Sequence, residues 1–424
     1  MDKKINLFLL IIFFVLFSSS TLVFAVDCPI PDTGQTRCYD DSKEITCPSP
    51  GEDFYGQDAQ YASNLHSYTL LSGGIMVQDN VTGLVWENKT DDGSVRDRDN
   101  IYNWDDAQSV FIATLNSQNF GGYSDWRLPT VKELSAIVDS NILYPGPVVN
   151  TDYFPNTVSG SYWSSTISAY DPDDAWYVYL SYGLVYYGGK SYYHYVRAVR
   201  GGQSSNNFVL NVDGTVTDTA TGLMWQKETA PGAYTWQEAL AYCEDLILPF
   251  GGYSDWRLPS RNELQSIVDY VRHSPSTHPF FNTVLSNYWS STTHTDAPSY
   301  AWFAGFGYGG YMDAYAKSGS YYVRAVRTAQ NGPPDTSTTI TAATTTAVPI
   351  ADCSSEKIYG EHSEQTEHLR YFRDNVLSTT PEGQELIRLY YELSPTIVRM
   401  MEVDEEFKTQ VKEIVDRVLL LIGE

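Results

Sequence analysis

Four residue types are spaced so that they could do chemistry: arginine, clustered aspartate, cysteine and tyrosine. Arg127 and Arg257 each sit in the nonapeptide GGYSDWRLP, at Gly121–Pro129 and Gly251–Pro259. Flanked by Trp and Leu, these guanidiniums are expected to be buried and bonded to backbone carbonyls, a structural use. Asp125 and Asp255 are expected to accept bonds from that arginine or from backbone amides, with Trp126 and Trp256 as buried anchors. Glu133 and Glu263 follow Thr130 and Ser260 by three residues, the spacing of a capping box. No nucleophile–base arrangement stands out: the seven histidines are scattered outside the repeated motifs, and no serine lies in a nucleophile elbow. The acidic loop Asp91–Asn100 gathers enough oxygen for calcium, although Arg96 and Arg98 neutralise part of it.

Cysteine usage points to an oxidising compartment. Cys28, Cys38 and Cys47 fall close together, and Cys38–Cys47 closes the shorter, turn-rich loop. Cys243 lies on an apolar helical face and is expected to be a buried thiol, while Cys353 begins the last module. Neither a CxxC nor a Cys/His cluster with metal spacing occurs, which argues against zinc. Tyrosine is the richest signal. Ten fall between Tyr162 and Tyr195, and in AWYVYLSYGLVYYGG the residues Trp176, Val178 and Leu180 alternate with Tyr177 and Tyr179. Amphipathic rings among Ser, Gly and Asp compose protein- and sugar-binding surfaces. The expected ligand face therefore carries Tyr177, Tyr179, Tyr186 and Tyr187, with Trp302 in the later WFAGFGYGGYMDAY.

These residues are positioned by a duplication. Nine identical residues recur 130 positions apart, and around them VQDNVTGLVW (77–86) matches VTDTATGLMW (216–225), YWSST recurs at 162 and 288, and YVRAVR recurs at 195 and 322. Each copy predicts a hairpin at its Thr-Gly, a capped helix at Asn103 or Thr235, the Gly-Gly corner with a second capped helix, and then alternating strands. KETAPGAY replaces the acidic loop in the second copy. Two helices within a mostly antiparallel sheet make an α+β domain. The chain divides into a secretory signal over 1–25, a cysteine-containing leader over 26–63, repeats over 64–202 and 203–330, a threonine-rich linker over 331–352 and a helical C-terminal module over 353–424.

The signal carries Lys3 and Lys4, an apolar run from Leu7 to Phe17, and Val23-Phe24-Ala25 at its end. No later segment is apolar enough to span a bilayer. The formal charge of −25 becomes about −26 without the signal's two lysines and one aspartate, which opposes nucleic acid and anionic lipid as partners.

The ordered set TGLxW, GGYSDWRLP[TS]xxEL, YWSST and YVRAVR resembles the Lcl C-terminal-like domain family, in tandem. That resemblance implies a C-type lectin-like fold and an exported binding or adhesion module without family catalytic residues. The expected partner is a neutral glycan or a protein surface of the envelope or a host, with no cofactor unless calcium. The corner and VRAVR also resemble the formylglycine-generating enzyme group, which uses cysteines late in the domain; neither repeat has one there. The tail resembles a C-terminal module that begins with a CFIATAAYG box, here CSSEKIYG with Cys353, Tyr359 and Gly360 retained, and is expected to be all-α.

Overall fold

The Thr-Gly turns set the frame. Gly83 and Gly222 adopt φ of +73° and +71°, turning the chain back between paired strands in each repeat. The architecture comes from a computed structural model that describes residues 29–202, 206–211, 214–246 and 253–329, together with Lys412. The signal segment, Cys28, Cys353, the threonine-rich stretch and the C-terminal module (Lys412 aside) lie outside the described residues. Apart from Lys412, the described residues belong to one compact unit, Phe24–Pro334. They form antiparallel sheets with few helices.

The leader contributes a two-stranded ribbon, β1 (Cys38–Tyr39) and β2 (Glu44–Ile45), closed by the Cys38–Cys47 disulfide. Repeat 1 begins with β3 (Tyr68–Leu71), β4 (Met76–Asp79) and β5 (Val85–Glu87). A helical run over 104–117 follows (α1), with a π-helical stretch at Ala107–Ile112, and then α2 (Val131–Ala136). Three strands come next, β6 (Ser161–Ile167), β7 (Asp174–Tyr179) and β8 (Leu184–Gly189), and β9 (Val199–Arg200) closes the repeat beside β5. Repeat 2 copies the order: β10 (Phe208–Leu210), β11 (Thr215–Asp218), β12 (Leu223–Gln226), α3 (Trp236–Glu244), α4 (Arg261–Ser266), β13 (Asn287–Thr293), β14 (Tyr300–Gly305), β15 (Tyr311–Ala316) and β16 (Val326–Thr328).

The hairpin strands of each repeat form a separate four-stranded sheet. The late strands of both repeats instead join in one six-stranded sheet, β13-β14-β15-β8-β7-β6. Its seam is the antiparallel β8–β15 pair, centred on Val185 opposite Met312. Because those two residues occupy corresponding positions of the duplication, the seam is a local two-fold axis. A single core spans it, with Trp86, Leu134 and Val178 from repeat 1 packed into the same cluster as Trp225, Leu264 and Met312 from repeat 2. Each repeat adds a second cluster of its own, around Trp126 and Trp163 or around Trp256 and Trp289.

The leader is stitched to both repeats. Asn262 donates its amide to the Pro31 carbonyl at 3.0 Å, the Gln35 side chain makes two bonds to the Thr293 backbone (2.8 and 2.9 Å), and Ser140 N donates to the Thr33 carbonyl at 2.7 Å. Lys317 reaches the Asp40 carbonyl at 2.9 Å. The disulfide closes a short loop in this strap, its cysteines 9 residues apart. Exchanging both cysteines for serine should therefore cost about 2–3 kcal/mol, read as a lower denaturation midpoint. An unchanged midpoint would mean the strap holds without its ribbon.

Candidate functional site

Over the described residues the two corners repeat the same helix caps and ion pairs. Thr130 and Ser260 cap their helices, each with the third-residue glutamate returning a bond to the cap amide. That glutamate also holds the arginine. Arg127 meets Glu133 in two bonds of 2.7 and 2.8 Å, and Arg257 meets Glu263 in two of 2.6 Å. Carbonyl contacts are marginal, Arg127 reaching Leu128 and Gly201 at 3.3 Å, so the expected backbone-bonded arginine is corrected to a fork-to-fork ion pair. The physical reason is proximity: the cap geometry aims the carboxylate back along the chain to where the guanidinium emerges.

Asp125 and Asp255 also have a different partner from the one expected. They accept from Arg200 (2.8 and 3.1 Å) and Arg327 (2.6 and 3.1 Å), the last arginines of the two VRAVR motifs. Those guanidiniums lie over Tyr123 and Tyr253, at 3.6 and 4.0 Å. Within the repeated motifs, the arginines held chiefly by backbone carbonyls are the first of each VRAVR. Arg197 donates to the Glu87 carbonyl at 2.7 Å and Arg324 to the Gln226 carbonyl at 2.8 Å, both side chains fully buried. Trp126 and Trp256 are buried as anchors. The corner's chemistry is consumed in holding strand, helix and chain end together.

The six-stranded sheet presents the tyrosines. Tyr177 stands opposite Tyr186, and Tyr179 opposite Leu184, on the face away from Trp176, Val178 and Val185. Across the seam, Tyr186 stacks on Tyr311 (6.0 Å, 15° between planes) and donates its hydroxyl to Asp313. Burial first, and then the Asp313 carboxylate, raise the Tyr186 pKa, so the phenol stays a donor. Tyr315 continues this face and is half exposed, while Tyr192 and Tyr193 are exposed at its repeat-1 end. His194 packs against Tyr177 at 4.7 Å, and burial holds it below the ordinary histidine range.

Two residues expected on that face are elsewhere. Tyr187 pairs with Trp176 on the inner side and packs edge-on against it at 5.0 Å. Trp302 is buried, 3% exposed, beneath the Arg261 guanidinium at 4.4 Å. Adjacent residues of a strand cannot share a face, and Trp302 occupies the position of the inward Trp176. Conversely, sequence inspection passed over Tyr311, Asp313 and Tyr315, although their spacing of two in YMDAY was the available signal.

In the acidic loop, Asp91, Asp97 and Asp99 each place a carboxylate oxygen within 4.8 Å of the others. Asp97 accepts from the amides of Asp92, Gly93 and Asp99 at 2.6–3.0 Å, which holds its pKa below the ordinary carboxylate range. These bonds order the loop from within and occupy both oxygens of Asp97.

Where the leader meets β13 lies a set that sequence inspection missed. Asp58 is buried, and its Oδ2 accepts from Thr33 (2.6 Å) and Thr292 (2.5 Å). Burial pushes its pKa up to about 7, against these two bonds, with Asp32 and Glu263 adding repulsion. A lone aspartate in a polar leader gives no sign of such burial. Cys243, as expected, is a buried free thiol, and burial raises its pKa well above the usual range.

The sequence model of the Lcl C-terminal domain family matches residues 75–200 and again 214–327. No curated protein matches the chain. Among the described residues, no helix is long and apolar enough to cross a membrane.

Proposed function

The chain belongs to the Lcl C-terminal domain family, and on that premise we propose that it is an exported, non-enzymatic binding protein of the surface or adhesion type. Its two domains, lectin-like in fold, recognise one ligand through the tyrosine platform that they share. One observation carries the proposal: Tyr177, Tyr179 and Tyr186 from repeat 1 lie on the same partly exposed sheet face as Tyr311, Asp313 and Tyr315 from repeat 2. A flat ring covers the apolar C–H face of a sugar, and phenols and a carboxylate bond its hydroxyls. The acidic charge favours a neutral glycan over a sulfated one, with a basic protein surface as the other fitting partner.

The formylglycine-generating alternative gains no support. It needs thiols late in each repeat, and the sequence has none there. Cys243 lies early in repeat 2 on α3, buried.

The test screens the full chain against neutral and sulfated glycans and measures affinity for the best neutral hit. Changing Tyr177, Tyr186 and Tyr311 together to alanine should weaken binding at least tenfold, about 1.4 kcal/mol, with the melting temperature held within a few degrees. Undiminished affinity in the triple variant would place the site elsewhere.

A further inference from the structure

A cleft of about 830 Å³ opens where the leader, both Thr-Gly turns and both corner helices converge, within the size range of ligand-binding cavities. Its apolar wall comes from four segments: Ile30 of the leader, Leu84 beside the first turn, Phe208 of β10, and Ile267 and Val268 after α4. Val271 also lines it and is 85% exposed.

The charges of this lining do not balance. Glu133 is held by Arg127 at 2.7 Å and Asp269 by Arg272 at 3.1 Å, while burial holds His278 below the ordinary histidine range. Lys132 is left over. It donates to the Asn206 side chain at 3.1 Å and to the Ser266 carbonyl at 2.6 Å, both neutral acceptors. Burial lowers the pKa of three lysines, to about 8 for Lys89 and Lys132 and to about 7 for Lys317. Lys89 has Glu87 at 3.4 Å, and Lys317 lies over the Trp236 ring at 3.8 Å. Among the described residues, Lys132 alone of the three has neither a carboxylate within 4.0 Å nor a ring against its ammonium. Asp218 and Asp269 act on it only from beyond ion-pair distance.

Drawing an ammonium out of water without a counter-ion is costly, and a ligand anion would relieve that cost. We propose that the cleft binds an amphipathic monocarboxylate, in its simplest form a straight-chain fatty acid, with its head on Lys132 and its chain along the apolar wall. Two of the three N–H donors of Lys132 are taken, which leaves one for the carboxylate. One unbalanced cation calls for one negative charge. A dianion such as a phosphate monoester would leave its second charge facing Glu133 and Asp269. The site is independent of the tyrosine platform, none of whose residues lines it.

The test is calorimetric titration of the full chain with octanoate, decanoate and dodecanoate, each below its micelle concentration. Binding should saturate at one ligand per chain and tighten about two- to fourfold per added methylene. Decanol, which lacks the charge, should bind at least tenfold more weakly than decanoate, and decyltrimethylammonium no better than decanol. Lys132→Met should weaken decanoate at least tenfold and leave decanol unchanged. Ala136→Phe, which fills the cleft from α2 without altering Lys132, should block both, with the melting temperature of each variant held within a few degrees. The Tyr177/Tyr186/Tyr311 variant should bind decanoate as the parent does. Affinity that ignores chain length, decanol as tight as decanoate, or undiminished decanoate binding in both folded cleft variants overturns the proposal. Decyl phosphate binding more tightly than decanoate overturns the assignment to a monocarboxylate.

Discussion

Arg257→Ala should lower the unfolding free energy by about 3–5 kcal/mol, the cost of stranding a buried carboxylate. The same change at Arg127 should cost about 1–3 kcal/mol. The two corners share the nonapeptide and the arginine–glutamate fork, so the main difference between them is burial. Arg257 and Glu263 are each 10% exposed in their side chains, beneath the leader, whereas Arg127 and Glu133 are 25% and 14% exposed. The more exposed Arg127 leaves solvent a nearer route to Glu133 once it is removed than Arg257 leaves to Glu263. Burial raises the Glu263 pKa, but Arg257 and the cap amide outweigh it and hold the group below the ordinary carboxylate range. The pair's stabilisation is therefore present above the unfolded-state pKa and lost as pH falls through the lower folded value. Denaturant midpoints for the two variants decide the matter, and equal losses would show that the leader does not shield the second corner.

Asp58 should give the opposite pH dependence. Its folded pKa of about 7 lies above the unfolded value of 3.8, so between these the folded chain holds a proton that the unfolded chain does not. Stability from this group falls as pH rises across that window, by on the order of a few kcal/mol, and the deficit is complete above about pH 7. Asp58→Asn keeps an acceptor for Thr33 and Thr292 but cannot ionise. The variant should match the parent near pH 3, below the unfolded value, and exceed it increasingly up to pH 8, and the difference between the two curves removes every other titrating group. Parallel curves would mean that Asp58 stays solvated as the strap opens locally. Because Asp58 ties the leader to β13, the expected gain at pH 8 should also appear as slower amide exchange at Thr293.

The sequence made the local structure legible because turns and caps are decided within a few residues. Gly83, Gly222 and the cap pairs Thr130/Glu133 and Ser260/Glu263 need no distant partner to be identified. The arginine partners were not legible, since Asp125 and Arg200 are 75 residues apart and only the folded sheet brings them together. The tyrosine face was half legible. Alternation placed Tyr177 and Tyr179 correctly opposite Trp176 and Val178, yet the same rule, applied to Tyr186-Tyr187 and to Trp302, would have removed Tyr187 and Trp302 from the face. The seam was beyond reach, because β8 and β15 meet by backbone bonds that any two extended segments can make.

The seam also bears on how the platform behaves outside the test tube. A single repeat ending in β8 would expose a strand edge, and two such chains could rebuild the same face only by meeting in solution, with occupancy set by their concentration. Here one polypeptide carries both halves, so each edge finds its partner at the millimolar effective concentration typical of short tethers. The platform is therefore indifferent to dilution. A molecule in a large volume keeps its full tyrosine face, where a face assembled from two chains would be lost as the chains drift apart.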